Sequence, residues 1–443
     1  MGKILAGYLF PHPPIIVEEI GGKEGLRAKK TIEGCRELAR DIGHKSPDTI
    51  ILVTPHGPLF SDAIAISVEE RLEGSFYNFG NRMLNFEYEN NIELVDAIVD
   101  ESTGYGIRIA KVDSRFAMRS NIDLELDHGA LVPLYFIGKE YSDFKLVHIT
   151  YGLLSPKELH RFGKLIQEMA LKSGERTVFV ASGDLSHKLS TSGPYTYSPY
   201  GKEFDTKLVE LLGDGDLESI VSFDLELSEK AGQCALRSLM IMAGYLDGLD
   251  IAPEVLSYEG PFGVGYANAR FSVMENKYVA LARKSLEHYI RYGKSIELSG
   301  DMGQELLDSR GGVFVTIKKK GRLRGCVGTI EPICETLAEE IARNAVSAGV
   351  RDPRFDRVTE DELEDLVYSV DILNSPEPIG SIDELDIDRY GVIVSKGFRR
   401  GLLLPRLDGV DSEEEQVSIA LKKAGIGKDE AYLLERFEVI RYY

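Results

Sequence analysis

The 443-residue sequence contains no tryptophan, so aromatic stacking falls to its 21 tyrosines and 18 phenylalanines. It has four cysteines, Cys35, Cys234, Cys326 and Cys334, and none of them forms a CxxC pair. That spacing makes a poor disulfide framework and a poor structural zinc site, and it fits a reducing cytoplasm best. No run of about 18 apolar residues is present, so no membrane-spanning helix is expected. Positive charge is short: 52 Lys and Arg face 72 Asp and Glu, a net charge of −20. A duplex nucleic-acid partner is disfavoured on that ground. Gly260-Pro261-Phe262-Gly263-Val264-Gly265 is glycine-rich but lacks the GxGxxG spacing of a dinucleotide loop. Met1-Gly2-Lys3-Ile4 runs straight into a strand-like segment, without the apolar run and cleavage site of a signal peptide.

What is present is enough for more than one core. A chain this long divides into domains, and its hydrophobic (43%) and charged (28%) fractions are those of an ordinary globular protein. Ile50-Ile51-Leu52-Val53 reads as a strand buried on both faces. Thr54-Pro55 stops it, because proline cannot donate to a ladder, and His56 sits on the exit loop. Leu5 to Phe10 ends in the same way, in Pro11-His12-Pro13-Pro14. A third strand, Thr177 to Ser182, runs into Gly183-Asp184-Leu185-Ser186-His187. Asp127-His128 precedes an apolar run that begins a helix, whereas His148 reads as an interior strand histidine. Alternating strands and helices predict an α/β domain over residues 1–273. After residue 278, short hairpins with separate helices predict an α+β domain over 278–443.

Ligands bind at the strand ends of open α/β sheets, and imidazole is the commonest protein metal ligand. Two histidines at strand ends are therefore candidates to share an ion. Two neutral nitrogens leave the ion's charge in place, so a carboxylate is expected beside them. Two histidines and one carboxylate make the facial triad of non-haem Fe(II) oxygenases. The carboxylate candidates are Glu229, Glu226, Asp184 and Glu259. Glu229 is favoured because a helix is predicted from Glu229 to Ala243, directly after an irregular stretch. Zn(II) in the same triad, activating water, is the alternative.

The motifs Pro11-His12-Pro13-Pro14, Thr54-Pro55-His56-Gly57, Leu126-Asp127-His128-Gly129 and Ser182-Gly183-Asp184-Leu185-Ser186-His187 occur in one order. Together they resemble the class III extradiol dioxygenase family, which includes the catalytic subunit of protocatechuate 4,5-dioxygenase, DOPA dioxygenases and the MEMO proteins. The resemblance implies that His12, His56 and Glu229 are metal ligands. It implies a catalytic role for His187 near the oxygen site and for His128 facing the substrate. Fe(II) would be the cofactor and a catechol-like small molecule the substrate. A MEMO-like, non-oxidative metal-binding role is the other implication.

In the second domain, Leu323-Arg324-Gly325-Cys326-Val327-Gly328-Thr329 is the densest motif. Arg324 and Cys326 share a strand face, which suits either a reactive thiol or a small buried cysteine in a hairpin. Lys318-Lys319-Lys320-Gly321-Arg322 reads as a basic hairpin tip. With Asn344-Ala345, Asp352-Pro353-Arg354-Phe355 and Pro376-Glu377-Pro378-Ile379, the motif resembles the AMME syndrome region family. Fusion of such a domain to a dioxygenase-like one implies a partner in a radical-SAM-associated modification pathway. A homo-oligomer is a further expectation.

Overall fold

A computed structural model describes residues 2–442, except 123, 194, 299–303, 320, 388, 406–409 and 411. The chain forms two compact units, Met1–Met274 and Glu275–Tyr443. Among the described residues, no helix is long and apolar enough to cross a membrane.

The first unit is built on an eight-stranded mixed sheet. Its strands are β1 (Lys3–Phe10), β2 (Thr49–Thr54), β3 (Ile64–Ser67), β6 (Ile109–Val112), β7 (Lys145–Thr150), β8 (Arg176–Ser182), β9 (Ile251–Glu259) and β10 (Tyr266–Val273). Strands β4 (Arg71–Ser75) and β5 (Asn85–Glu89) form a separate hairpin. The order in the large sheet is β6-β3-β7-β2-β8-β1-β10-β9. Strand β8 runs parallel to both β1 and β2 and lies between them. The exits of all three strands therefore open on one sheet edge.

Side-chain alternation explains why the central strands are apolar throughout. Ile51 and Val53 enter one core, while Ile50 and Leu52 enter the other. Each face is covered by helices, as a parallel sheet requires. Helices α1 (Lys29–Lys45) and α2 (His128–Glu140) lie on one side. Helices α3 (Pro156–Ser173), α4 (Pro199–Asp214) and α6 (Leu236–Tyr245) lie on the other. Helix α3 begins with a capping box of Ser155 and Glu158.

Two expectations change. The helix predicted from Glu229 to Ala243 is two helices, α5 (Leu225–Ala231) and α6, separated at Gly232 (φ +60°). A left-handed glycine ends a helix there, and α5 begins earlier than expected because Asp224 caps it. The segment Leu72 to Glu87, which shows no clean period, contains most of the β4–β5 hairpin.

The second unit has a seven-stranded antiparallel system, and its two longest described helices are α7 (Lys277–Tyr292) and α8 (Leu337–Val350). Its strands β11 (Gly312–Lys319) and β12 (Arg322–Thr329) form the expected hairpin, whose turn includes Lys320, outside the described residues. Arg324 is paired with Glu362, its Nη2 2.8 Å from Oε2. The Asp352-Pro353-Arg354 motif closes the edge of β12. Asp352 Oδ2 accepts from the Cys326 N–H at 2.8 Å, and Arg354 binds Asp352 and the Cys326 carbonyl. An edge strand covered in this way is shielded from pairing with other chains.

Candidate metal centre

His12 leaves β1 and His56 leaves β2, and their Nε2 atoms are 3.0 Å apart. His128, the first residue of α2, stacks on His56 with ring centroids 4.2 Å apart. Among the described residues, His12, His56 and His128 each offer one ligand atom within 4.8 Å of the others. His12 is buried (2% exposed), whereas His56 faces solvent. The three nitrogens form a cluster that can coordinate a metal ion.

The protonation of His12 follows from its partners. Ser182 Oγ donates to the Gly129 carbonyl, so its oxygen is left to accept from His12 Nδ1, 2.8 Å away. The ring proton is on Nδ1, and the Nε2 lone pair points toward His56. Metal-binding histidines commonly have such an outer partner on the other nitrogen. Burial, reinforced by the neighbouring His56, holds His12 well below its ordinary value. Burial likewise lowers His56, and lowers His128 and His187 to about 4. At neutral pH all four rings are uncharged, the state that ligates.

A second set of groups holds this arrangement in place. Asp127 caps α2: its Oδ1 accepts from the Gly129 N–H at 2.8 Å and from Thr54 Oγ1 at 2.6 Å. His148 is an interior histidine, with Nδ1 2.9 Å from Ser67 Oγ and Nε2 3.4 Å from Asp127 Oδ2. Burial raises the Asp127 carboxyl, but the adjacent His148 ring and the Thr54 hydrogen bond outweigh it and hold the group below its usual range. Asp184 accepts the His12 backbone N–H at 2.9 Å, and burial pushes its carboxyl up to about 7. The loop carrying His187 is fixed by Asp205, whose Oδ1 accepts from the Ser186 N–H at 2.8 Å while Oδ2 accepts from Tyr258 at 2.7 Å.

Of the residues expected from the sequence, His12, His56 and His128 meet. His187 lies at the margin, 3.8 Å from Cys234 Sγ and stacked on Tyr195. Glu229 does not join them. It lies in the exposed last turn of α5, outside the histidine cluster, because the helix does not start there. Glu259 is used elsewhere, accepting from Thr31, and Glu226 pairs with Lys230. His128, expected to face the substrate, stands where a third ligand was sought.

Cys234 falls inside the helix predicted from Glu229 to Ala243 and is not among the site residues expected from the sequence. The break between α5 and α6 turns this residue into the site. Its Sγ is 3.5 Å from His12 Nε2 and accepts from the Asp184 N–H at 3.2 Å. Gly183 permits this approach: a Cβ there would lie 2.2 Å from Ala235 Cα. Gln233-Cys234 after a glycine was the available signal, since Gly232 breaks the helix.

The geometry defines a strand-edge histidine centre on an α/β sheet. Residues 6–269 match the family described as the catalytic LigB subunit of aromatic ring-opening dioxygenase, and residues 279–443 match AMMECR1. The chain belongs to the first family, with an AMMECR1 domain fused C-terminal to it. A Clostridium acetobutylicum protein is 43% identical over 98% of both chains. A Thermotoga maritima protein is 52% identical over 38% of this chain and 98% of its own. A solved Pyrococcus horikoshii protein is 34% identical, covering 37% of this chain and 88% of its own, with a TM-score of 0.35. A solved Escherichia coli K12 protein is 14% identical, covering 60% and 99%, with a TM-score of 0.41.

Proposed function

We propose that the first unit is a metal-dependent oxidoreductase of the extradiol dioxygenase type, acting on a catechol-like small molecule. The observation that carries this reading is the convergence of His12 and His56, 3.0 Å apart, with His128 in ligand range. The donor set fits a divalent transition metal, because neutral imidazole suits iron, zinc and copper alike. His12, His56 and His128 would hold the ion, and Fe(II) there would supply oxygen activation and bind a diol as a chelate. On this reading His187, uncharged at neutral pH, would take a proton from a substrate hydroxyl at its Nε2 and return it later. Phe79, packed against His128 at 5.3 Å, offers an apolar wall for a ring.

The exposed position of Glu229 favours a second reading. Three neutral nitrogens are also the donor set of a catalytic zinc site. On that reading the unit is a MEMO-like metal protein that does no oxidative chemistry and acts in a radical-SAM-associated modification pathway.

Protein purified without oxygen, analysed for metal and then mixed with catechol before exposure to air, separates the two. Iron near one per chain and a yellow ring-opened product support the first reading. Zinc without oxygen uptake refutes it and leaves the second.

A further inference from the structure

The second unit contains a cavity of about 290 Å³ between α7, the segment 295–298 and α8. Along α8, Arg343, Ser347 and Arg351 recur every four residues and form one stripe on the cavity wall. Ala342 and Val346, also four apart, form an apolar stripe beside it, with Leu298 among the other apolar lining residues. Tyr289 of α7 contributes an aromatic ring, with the Arg357 guanidinium 5.6 Å from its centroid.

The charge of this cavity is unusual for the unit. Most other arginines of the unit are matched with carboxylates, among them Arg283 with Glu275, Arg354 with Asp352, Arg399 with Glu430 and Arg441 with Asp371, whereas among the described residues Arg310 and Arg322 are not. Among the described residues, Arg343, Arg351 and Arg357 have no carboxylate within ion-pair distance, in a chain of net charge −20. Arg343 lies beside the Cys334 thiol. The helix dipole accounts for a cation at Arg351, which caps the C-terminus of α8, but not for Arg343 two turns earlier. Glu339 lines the cavity, yet its carboxylate already accepts the Glu335 and Thr336 N–H groups.

We propose that this cavity binds a small organic anion: an aryl carboxylate or aryl phosphate whose ring lies on the Ala342–Val346–Tyr289 surface and whose anionic group meets Arg343 and Arg351. Guanidinium forks match both carboxylate and phosphate oxygens. The volume is at the bottom of the range of about 300–1,000 Å³ for ligand pockets, so the occupant is a single-ring molecule. The lining residues all belong to the second unit, and the proposal does not depend on the reading given for the histidine cluster.

The test is calorimetric titration of the full chain with phenyl phosphate, and with inorganic phosphate and phenol in parallel. Saturable one-to-one binding of phenyl phosphate is expected, at least tenfold tighter than either half alone. The double variant R343Q/R351Q changes two exposed side chains and should keep the wild-type melting curve while losing at least tenfold in affinity. R322Q, which removes an exposed arginine outside the cavity, should bind as wild type. No saturable binding, equal binding of inorganic phosphate, or equal weakening by R322Q would overturn the proposal.

Discussion

An imidazole nitrogen ligates a metal ion only while it has no proton, so each ring's outer hydrogen bond decides what it can do. For His12 that bond is to Ser182 Oγ. Ser182→Ala removes the acceptor and is expected to weaken metal binding by about 10–100-fold, read by competition with a chromophoric chelator. An unchanged affinity would show that Ser182 does not set the tautomer. His56→Ala should abolish stoichiometric metal retention without unfolding the chain, whereas Glu229→Ala should change neither metal content nor stability. Metal retained by the His56 variant would remove that ring from the centre. The histidines were legible because prolines end the strands at Phe10 and Thr54. The third donor was not: spacing alone cannot tell a carboxylate that opens a helix from one on its last, exposed turn.

Elements carry these residues only as far as their backbones can approach. Helices α3 and α6 cross through glycines, where a Cβ on Gly163 would lie 2.0 Å from the Ile241 carbonyl oxygen and one on Gly244 1.9 Å from that of His160. Backbone cannot yield as a side chain does, so Gly163→Ala is expected to cost about 3 kcal/mol in a denaturant titration. A loss below about 0.5 kcal/mol would mean that the helices separate freely. Apolar runs revealed the central strands β1, β2 and β8. Apolar periodicity missed β9, a half-buried edge strand interrupted by Pro253, and merged α5 with α6. In both places local backbone chemistry, rather than apolar spacing, decides the structure.

At the scale of the whole molecule, the two units respond to acid in different ranges. His128 and His187 have ordinary values of 6.5 unfolded and about 4 folded. Between those values the unfolded chain binds protons that these two rings refuse, so they lower the stability of the first unit as pH drops from 6.5 to 4, while Asp184, raised to about 7, contributes in the opposite sense over the same range. Glu362 works lower. Arg324 holds its carboxyl at about 2 against an ordinary 4.5, even though burial opposes this. Its stabilisation is complete above 4.5 and is lost as pH falls to 2. Calorimetry of the metal-free chain should show both losses, and Glu362→Gln should diminish only the lower one. A His187→Gln variant whose melting profile between pH 6.5 and 4 is unchanged would contradict a neutral, buried His187. The pattern of the sequence changes after residue 273, and the contact division of the chain falls after Met274.

X-ray absorption at the metal edge of the loaded full chain tests the histidine centre most directly. Three imidazole nitrogens at about 2.0–2.1 Å are expected, falling to two in the His128→Ala variant. A first shell with fewer than two imidazoles, or one that the His128 substitution leaves unchanged, would contradict it.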